Sequence, residues 1–477
     1  MRVAAALGVA LCTFVLSSAT GFAATDQRLV DAVRRQDAKA VAALIKQRLD
    51  VNAPGRDGAT PLHWAAHLND VAIADQLLRA GANAGVTNEY GATPLMLAAE
   101  NGNGPMIERL IKGGANANAA LPMGETALMT AARTGKAEAI KALVAGGANV
   151  NAKEKYKGQT PLMWALSEAH VDAARALIAA GADVHARSDS GFTPIMFAVR
   201  TGNMDAVTML IDKGADIHAA DNDGSTLLHI ATVRGQIDLA KFLLNKGVDP
   251  NAMKVGYTAM HYAAGKWDGV DAHDFVEAPG EWNYLKGLRS YQKHDLIKAL
   301  LAAGANPNLQ LNKEPPRYGF SLVSGSAKGY TAGATPFFLA AMGADVDTMR
   351  LLASGGANPH IRARNGTTSL MVAAGMAWME NEVPLDSKDY LPATKYAIEL
   401  GVDVNAVNNT GNSAIHGTIS GGFNPVIELL AASGGDVNIK NKRGDTALKQ
   451  SLGYGAAGGN HVREDTAEVL RKLGGVQ

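Results

Sequence analysis

Cysteine is nearly missing from this chain: Cys12 is the only one in 477 residues. Beyond the N-terminal segment there is no thiol at all, which excludes disulfides, a thiolate nucleophile and cysteine-based zinc or haem sites. Aromatic residues are sparse, at 5%. Neither sign of charge prevails, with 45 Lys plus Arg against 45 Asp plus Glu. A balanced chain lacks the broad basic field that nucleic acid or an anionic membrane would attract, so no nucleic-acid partner is expected. Past the N-terminus, no run approaches the roughly 18 apolar residues of a membrane-spanning helix. Catalytic signatures are wanting too: there is no HExxH, no GxSxG and no phosphate-binding loop. The Gly-rich stretch GSAKGYTAG from Gly325 lacks the Walker spacing. No enzyme is expected, and no catalytic residue, metal ligand or cofactor is assigned.

The N-terminus itself is informative. Arg2 precedes an apolar run from Val3 to about Leu16, and Gly21 and Ala23 supply small residues for a cut. This predicts a secretory signal peptide over residues 1–23, outside the fold. Cys12 lies inside the apolar run behind Leu11, which argues against lipid attachment. The expected destination is a bacterial periplasm or the exterior, with no membrane insertion once the signal is cleaved.

The rest of the chain repeats itself. GATPLHWA at 58–65 returns as GQTPLMWA at 158–165, and the leading glycine recurs at 58, 91, 124, 158, 191, 224, 256, 333, 366, 411 and 444. Most spacings are 33 residues, with 77 and 45 as the large exceptions. Units close on a second phrase, GANVN from Gly147 or GADVH from Gly181. Thr-Pro supplies a helix cap and a pre-set backbone angle. Leu62, Ala65 and Ala66 put small and apolar groups on one face. Leu77 and Leu78 mark a second helix, which Gly81 stops. One such helix pair cannot bury its own apolar surface and has to stack on neighbours.

Two phrases in fixed register resemble the ankyrin repeat, over nearly the whole chain past residue 23. The resemblance implies an all-α solenoid of about twelve helix-turn-helix units joined by hairpin loops. Residues 24–54 read as an N-terminal capping repeat with a polar face from Arg28, Asp31, Arg34 and Arg35, and 55–255 as regular repeats. Residues 256–332 read as a repeat carrying two insertions, and 333–477 as repeats with a third insertion and a C-terminal cap. In the family the His of TPLH bonds within and between turns. His63, His229, His261 and His416 match that position, whereas Met96, Met129, Met163, Met196 and Met371 replace it.

The resemblance further implies that hairpin tips and first helices line a concave face used for partners. The residue after the His lies near it: Trp64, Leu97, Thr130, Trp164, Phe197, Ile230, Tyr262, Leu339, Val372 and Gly417. Trp64, Trp164, Phe197 and Tyr262 are therefore candidate partner-binding anchors, with Arg133, Arg200 and Arg234 as a basic rim. The alternative is that this stripe packs repeat on repeat. The 265–294 insertion adds Trp267 and Trp282, as anchors or as a local mini-core. Its Asp268, Asp271, His273, Asp274 and Glu281 match no known ligand spacing. The expectation is an exported, monomeric scaffold for an unidentified protein partner. The alternative is a small-molecule, glycan or metal binder, or an enzyme, working through the 265–294 insertion.

Overall fold

The computed structural model describes residues 26–265, 290–314, 328–378, 385–453 and 462–477. Among these residues the regular elements are helices, accompanied by two isolated bridges, Ala120 with Thr126 and Ala220 with Thr226. The chain is all-α. Its described residues divide into two compact units, one comprising 26–156 with 179–181 and the other 157–178 with those from 182 on.

The first unit holds four helix pairs: Arg28–Arg34 with Ala38–Lys46, Pro61–His67 with Val71–Arg79, Pro94–Asn101 with Gly104–Lys112, and Ala127–Arg133 with Ala137–Ala145. Among the described residues the second holds eight, from Pro161–Ser167 with Val171–Ala179 to Ala447–Ser451 with Glu464–Lys472, and the short helix Lys328–Thr331 besides. First helices are short and begin where the Thr-Pro phrase places them. Thr93 sits in extended backbone, and its Oγ1 accepts the Met96 amide at 3.3 Å. Pro94 follows at the first helical position, where the missing N–H costs nothing. Thr335 caps Pro336–Met342 in the same way at 3.2 Å.

The core is the seam between helices. Leu62, Ala65, Ala66, Ile73, Ala74 and Leu77 are all fully buried. The alanines let neighbouring backbones approach closely, and the leucines fill the space between them. Burying one such leucine contributes about 1.5–3 kcal/mol. Gly81 ends its helix with φ +91 and open space where a side chain would go, so the backbone angle alone selects glycine. Gly58 differs: at φ +72, a Cβ there would stand 2.9 Å from the Glu89 amide of the next hairpin.

Two recurrent side-chain bonds tie repeat to repeat, beside backbone bonds between successive hairpins such as the Glu89 amide to the Asp57 carbonyl. In His63, Nδ1 accepts the Thr60 amide at 3.1 Å, so the ring proton is on Nε2, which donates to the Ala92 carbonyl at 3.0 Å. His229 reaches the Tyr257 carbonyl at 2.9 Å, His261 the Leu309 carbonyl at 2.9 Å and His416 the Asp445 carbonyl at 3.1 Å. In two of the methionine units the local half of this link persists. Met196 and Met371 accept the cap amides of Thr193 and Thr368 on sulfur, at 3.5 and 3.4 Å. A thioether has no proton to donate onward.

The second bond is an asparagine clamp from the closing phrase. Asn118 donates to the Gly147 carbonyl at 2.9 Å and accepts the Asn149 amide at 2.7 Å. Asn52, Asn251, Asn308, Asn405 and Asn438 do the same across their own junctions. In the sequence the closing phrase marks the end of each unit, and nothing local to it shows this role of the asparagine.

The insertions leave the repeat geometry intact around them. Helix Ser290–Ala302 starts inside the stretch read as insertion, and buried Lys293 donates to the Gly265 carbonyl at 2.8 Å. Across the second insertion, Leu311 and Ala334 still pair, amide to carbonyl at 2.8 Å. At the third, the Trp378 indole donates to the Leu385 carbonyl at 3.0 Å and meets Phe423 edge-on at 5.6 Å. Phe423 also packs on Tyr390 at 4.9 Å, an aromatic cluster that the sequence reading did not single out.

Candidate functional site

Each first helix turns one residue, the one after the His or Met, toward its neighbours' first helices. The structure separates the expected stripe into two kinds of side chain. Phe197 and Tyr262 are 0% and 1% exposed. Phe197 meets Phe192 edge-on at 5.6 Å, and Arg200 lies over its ring with the guanidinium carbon 4.9 Å from the centroid. The Tyr262 hydroxyl points at the Val233 carbonyl, 3.5 Å away. Both rings pack the second unit together and present no face to a partner, contrary to their reading as anchors. Thr130, Ile230, Leu339 and Val372, in the same register, are buried as well. The position therefore serves packing wherever its neighbours are large enough to cover it.

Trp64, Leu97, Trp164 and Gly417 are half-buried instead, and of these only the two tryptophans are aromatic. In the first unit, Arg34 of the N-terminal repeat stacks on Trp64 at 4.7 Å from the ring centroid. His67 stands one helical turn further on and meets the same ring edge-on at 5.9 Å. A guanidinium over an exposed indole contributes about 0.5–1 kcal/mol and holds the ring in one orientation. An aromatic already fixed in place loses little freedom when a partner covers it. Arg34 was read only as part of the cap's polar face, since nothing in the sequence shows that it reaches across to the next repeat.

The basic rim is not one feature. Arg133 is exposed and pairs with Glu125 at 3.8 Å, and Glu125 also accepts from the Thr130 hydroxyl at 3.2 Å. Arg200 covers Phe197, as above. Arg234 is half-buried at the end of helix Leu227–Val233. Trp267 and Trp282, with the acidic groups from Asp268 to Glu281, lie outside the described residues.

Electrostatics mark the histidines as scaffold. Burial depresses His229 and His261 to about 4, only partly offset by the carbonyls that accept from them. Burial also lowers His63 and His416. Neutral imidazoles wedged between repeats have both ring nitrogens engaged. Among the described residues, no group of three or more His, Cys, Asp or Glu is placed to hold a metal ion. An open cleft of about 600 Å³ in the first unit is lined by Asn69, Asn101, Asn103, Glu108, Glu138 and Lys141, and none of the expected anchors borders it. No helix among the described residues is long and apolar enough to cross a membrane.

Comparison with known proteins agrees with this architecture. A family model described as ankyrin repeats (3 copies) matches residues 29–120, 68–154, 102–188, 137–221, 176–254 and 195–277. A putative ankyrin repeat protein of Acanthamoeba polyphaga mimivirus is 30% identical over 114 residues. That stretch is 22% of this chain and 19% of the viral protein, so the chain spans about a fifth of that relative's length.

Proposed function

Because this chain belongs to the ankyrin-repeat family, whose repeats generally serve protein–protein recognition, we propose that it is an exported scaffold that binds another protein through its first-helix faces. The observation that carries this reading is Trp64, an indole left half in water yet held by Arg34 and His67. Trp164 is the corresponding half-exposed ring of the second unit. Buried aromatics in the same register show that the fold has the means to cover such a ring. Leaving one open, already oriented, supports a contact role.

The test is cross-linking capture from the cell envelope, with residues 24–477 as bait beside a Trp64→Ala/Trp164→Ala variant whose fold is checked by circular dichroism. A partner captured by the parent and lost by the folded variant supports the proposal. The same partner on both baits removes the first-helix face as the site, and capture by neither counts against a scaffold. Export is tested separately: the native protein in the envelope fraction is expected to begin at about residue 24. An intact N-terminus in the cytoplasmic fraction would overturn it.

A further inference from the structure

The histidine link and the asparagine clamp are not spread evenly along the second unit. The junction between the repeats that begin at Gly224 and Gly256 has both, through His229 and Asn251. The next junction has both as well, through His261 and Asn308. The two junctions on either side of the repeat that begins at Gly191 have neither. There Met163 and Met196 stand at the histidine position, and His185 and His218 at the asparagine position. The pair is missing once more, at Phe338 and His360, but the clamps of Asn308 and Asn405 hold the junctions before and after that one.

Nothing of the same kind replaces the missing bonds around Gly191. A thioether cannot donate to the next hairpin's carbonyl. His185 and His218 are exposed, and neither ring makes a hydrogen bond among the described residues. What remains falls into two parts. The hairpin tips are fastened: the Asp189 amide donates to the Lys157 carbonyl at 2.8 Å, and the Asn222 amide to the Ser190 carbonyl at 3.1 Å. The Asn222 side chain adds a bond to the Asp189 carbonyl at 2.8 Å, and Arg187 reaches the Ala220 carbonyl. Behind the tips the repeat packs through apolar surface, with Phe192, Ile195, Met196, Phe197, Ala198 and Val199 all buried. Apolar burial is strong but non-directional. It resists separation, while a hydrogen bond also fixes an angle.

We propose that the repeat beginning at Gly191 is a hinge built into the second unit, whose helices Pro194–Thr201 and Met204–Asp212 rock against their neighbours about the fastened hairpin tips. Helix Pro161–Ser167, with the half-exposed Trp164, lies on one side of the hinge, and the doubly bonded junctions after Gly224 on the other. The hinge lets these two parts change their separation while every repeat stays folded. It goes beyond the scaffold reading and does not depend on it.

The test is the distance between paired spin labels. With Cys12→Ser the whole chain has no native thiol, so labels attach only where cysteines are introduced. Asp172, Asp238 and Asp347 are exposed and share one register, the second position of helices Val171–Ala179, Ile237–Asn245 and Val346–Ser354. Asp172→Cys/Asp238→Cys spans the two junctions without these bonds, and Asp238→Cys/Asp347→Cys the two that have both. Each pair lies two repeats apart, or about 16–20 Å at 8–10 Å per packed helix. Pulsed electron paramagnetic resonance should give a distance distribution at least twice as wide for the first pair as for the second. Met163→His/Met196→His/His185→Asn/His218→Asn supplies the residues this chain uses at its bonded junctions, and should narrow the first distribution to the width of the second. Asn251→Ala/Asn308→Ala should widen the second. Equal widths for the two pairs in the parent would overturn the hinge. So would an unchanged first width in the fourfold variant, its fold checked by circular dichroism, or an unchanged second width in the clamp variant.

Discussion

Acidification should loosen the second unit around His229 and His261, and the size of the effect follows from their burial. Both rings are depressed to about 4, against about 6.5 in an unfolded chain. Above pH 6.5 the rings are neutral in both states and the folded form keeps its full stability. As pH falls from 6.5 to 4, the unfolded rings take up protons that the folded ones refuse, and stability is lost. Protonation would also put a hydrogen on Nδ1, which already accepts the Thr226 or Thr258 amide. Between pH 7.5 and pH 5 linkage gives about 2 kcal/mol per ring, or about 4 kcal/mol for the pair. His63 and His416 shift in the same direction, whereas burial raises Asp221, which opposes the loss. The contribution of the two rings is isolated with His229→Met/His261→Met, which uses the residue this chain itself places at five equivalent sites. Repeat arrays open locally, so the assay is hydrogen exchange of peptides within 224–265 and 290–311, corrected for intrinsic rate. The parent's opening free energy should fall about 4 kcal/mol more than the variant's between the two pH values. At pH 7.5 the variant should be weaker by about 1 kcal/mol per lost inter-repeat bond. An equal fall in parent and variant would refute the reasoning.

Other expectations concern the joints. Asn251→Ala removes two bonds that span the first insertion, to the Gly304 carbonyl and from the Asn306 amide, and should cost about 1–2 kcal/mol; exchange in helix Ser290–Ala302 reads the loss. Gly81→Ala should cost about 1–2 kcal/mol through its backbone angle alone. Gly58→Ala carries the same penalty plus a 2.9 Å encounter with a backbone nitrogen, so its thermal midpoint should fall further; equal midpoints would contradict this. Trp378→Ala removes the indole bond to the Leu385 carbonyl and the edge contact with Phe423, and should speed hydrogen exchange in helices Ser387–Glu399 and Asn424–Ala432 while exchange in the first unit is unchanged.

Much of the fold was legible because each repeat carries two marks at a fixed distance. Thr-Pro starts a helix by local chemistry, and glycine stops one by the same kind of rule, so neither depends on distant contacts. The histidine links could be anticipated in kind, since the position recurs, and the methionine units are where they lapse. The burial of Phe197 and Tyr262 was not legible. Whether that position faces water depends on what covers it, Phe192 and Arg200 in one case, and the same letters in sequence gave Trp64 an open face. The Asn118 clamp was hidden for a different reason: its partners, Gly147 and Asn149, lie about thirty residues on. A signal for it existed in the recurrent asparagine that Gly85, His185, His218 and His360 interrupt.

Site-specific photo-cross-linking in the native cell tests the central claim most directly. A photoreactive residue at exposed His67, beside Trp64, samples the first-helix face, and one at exposed Lys141 samples the second-helix side. The account predicts a discrete protein adduct from position 67 and none from position 141. Adducts from 141 alone, or equally from both, would contradict a scaffold that binds through its first helices.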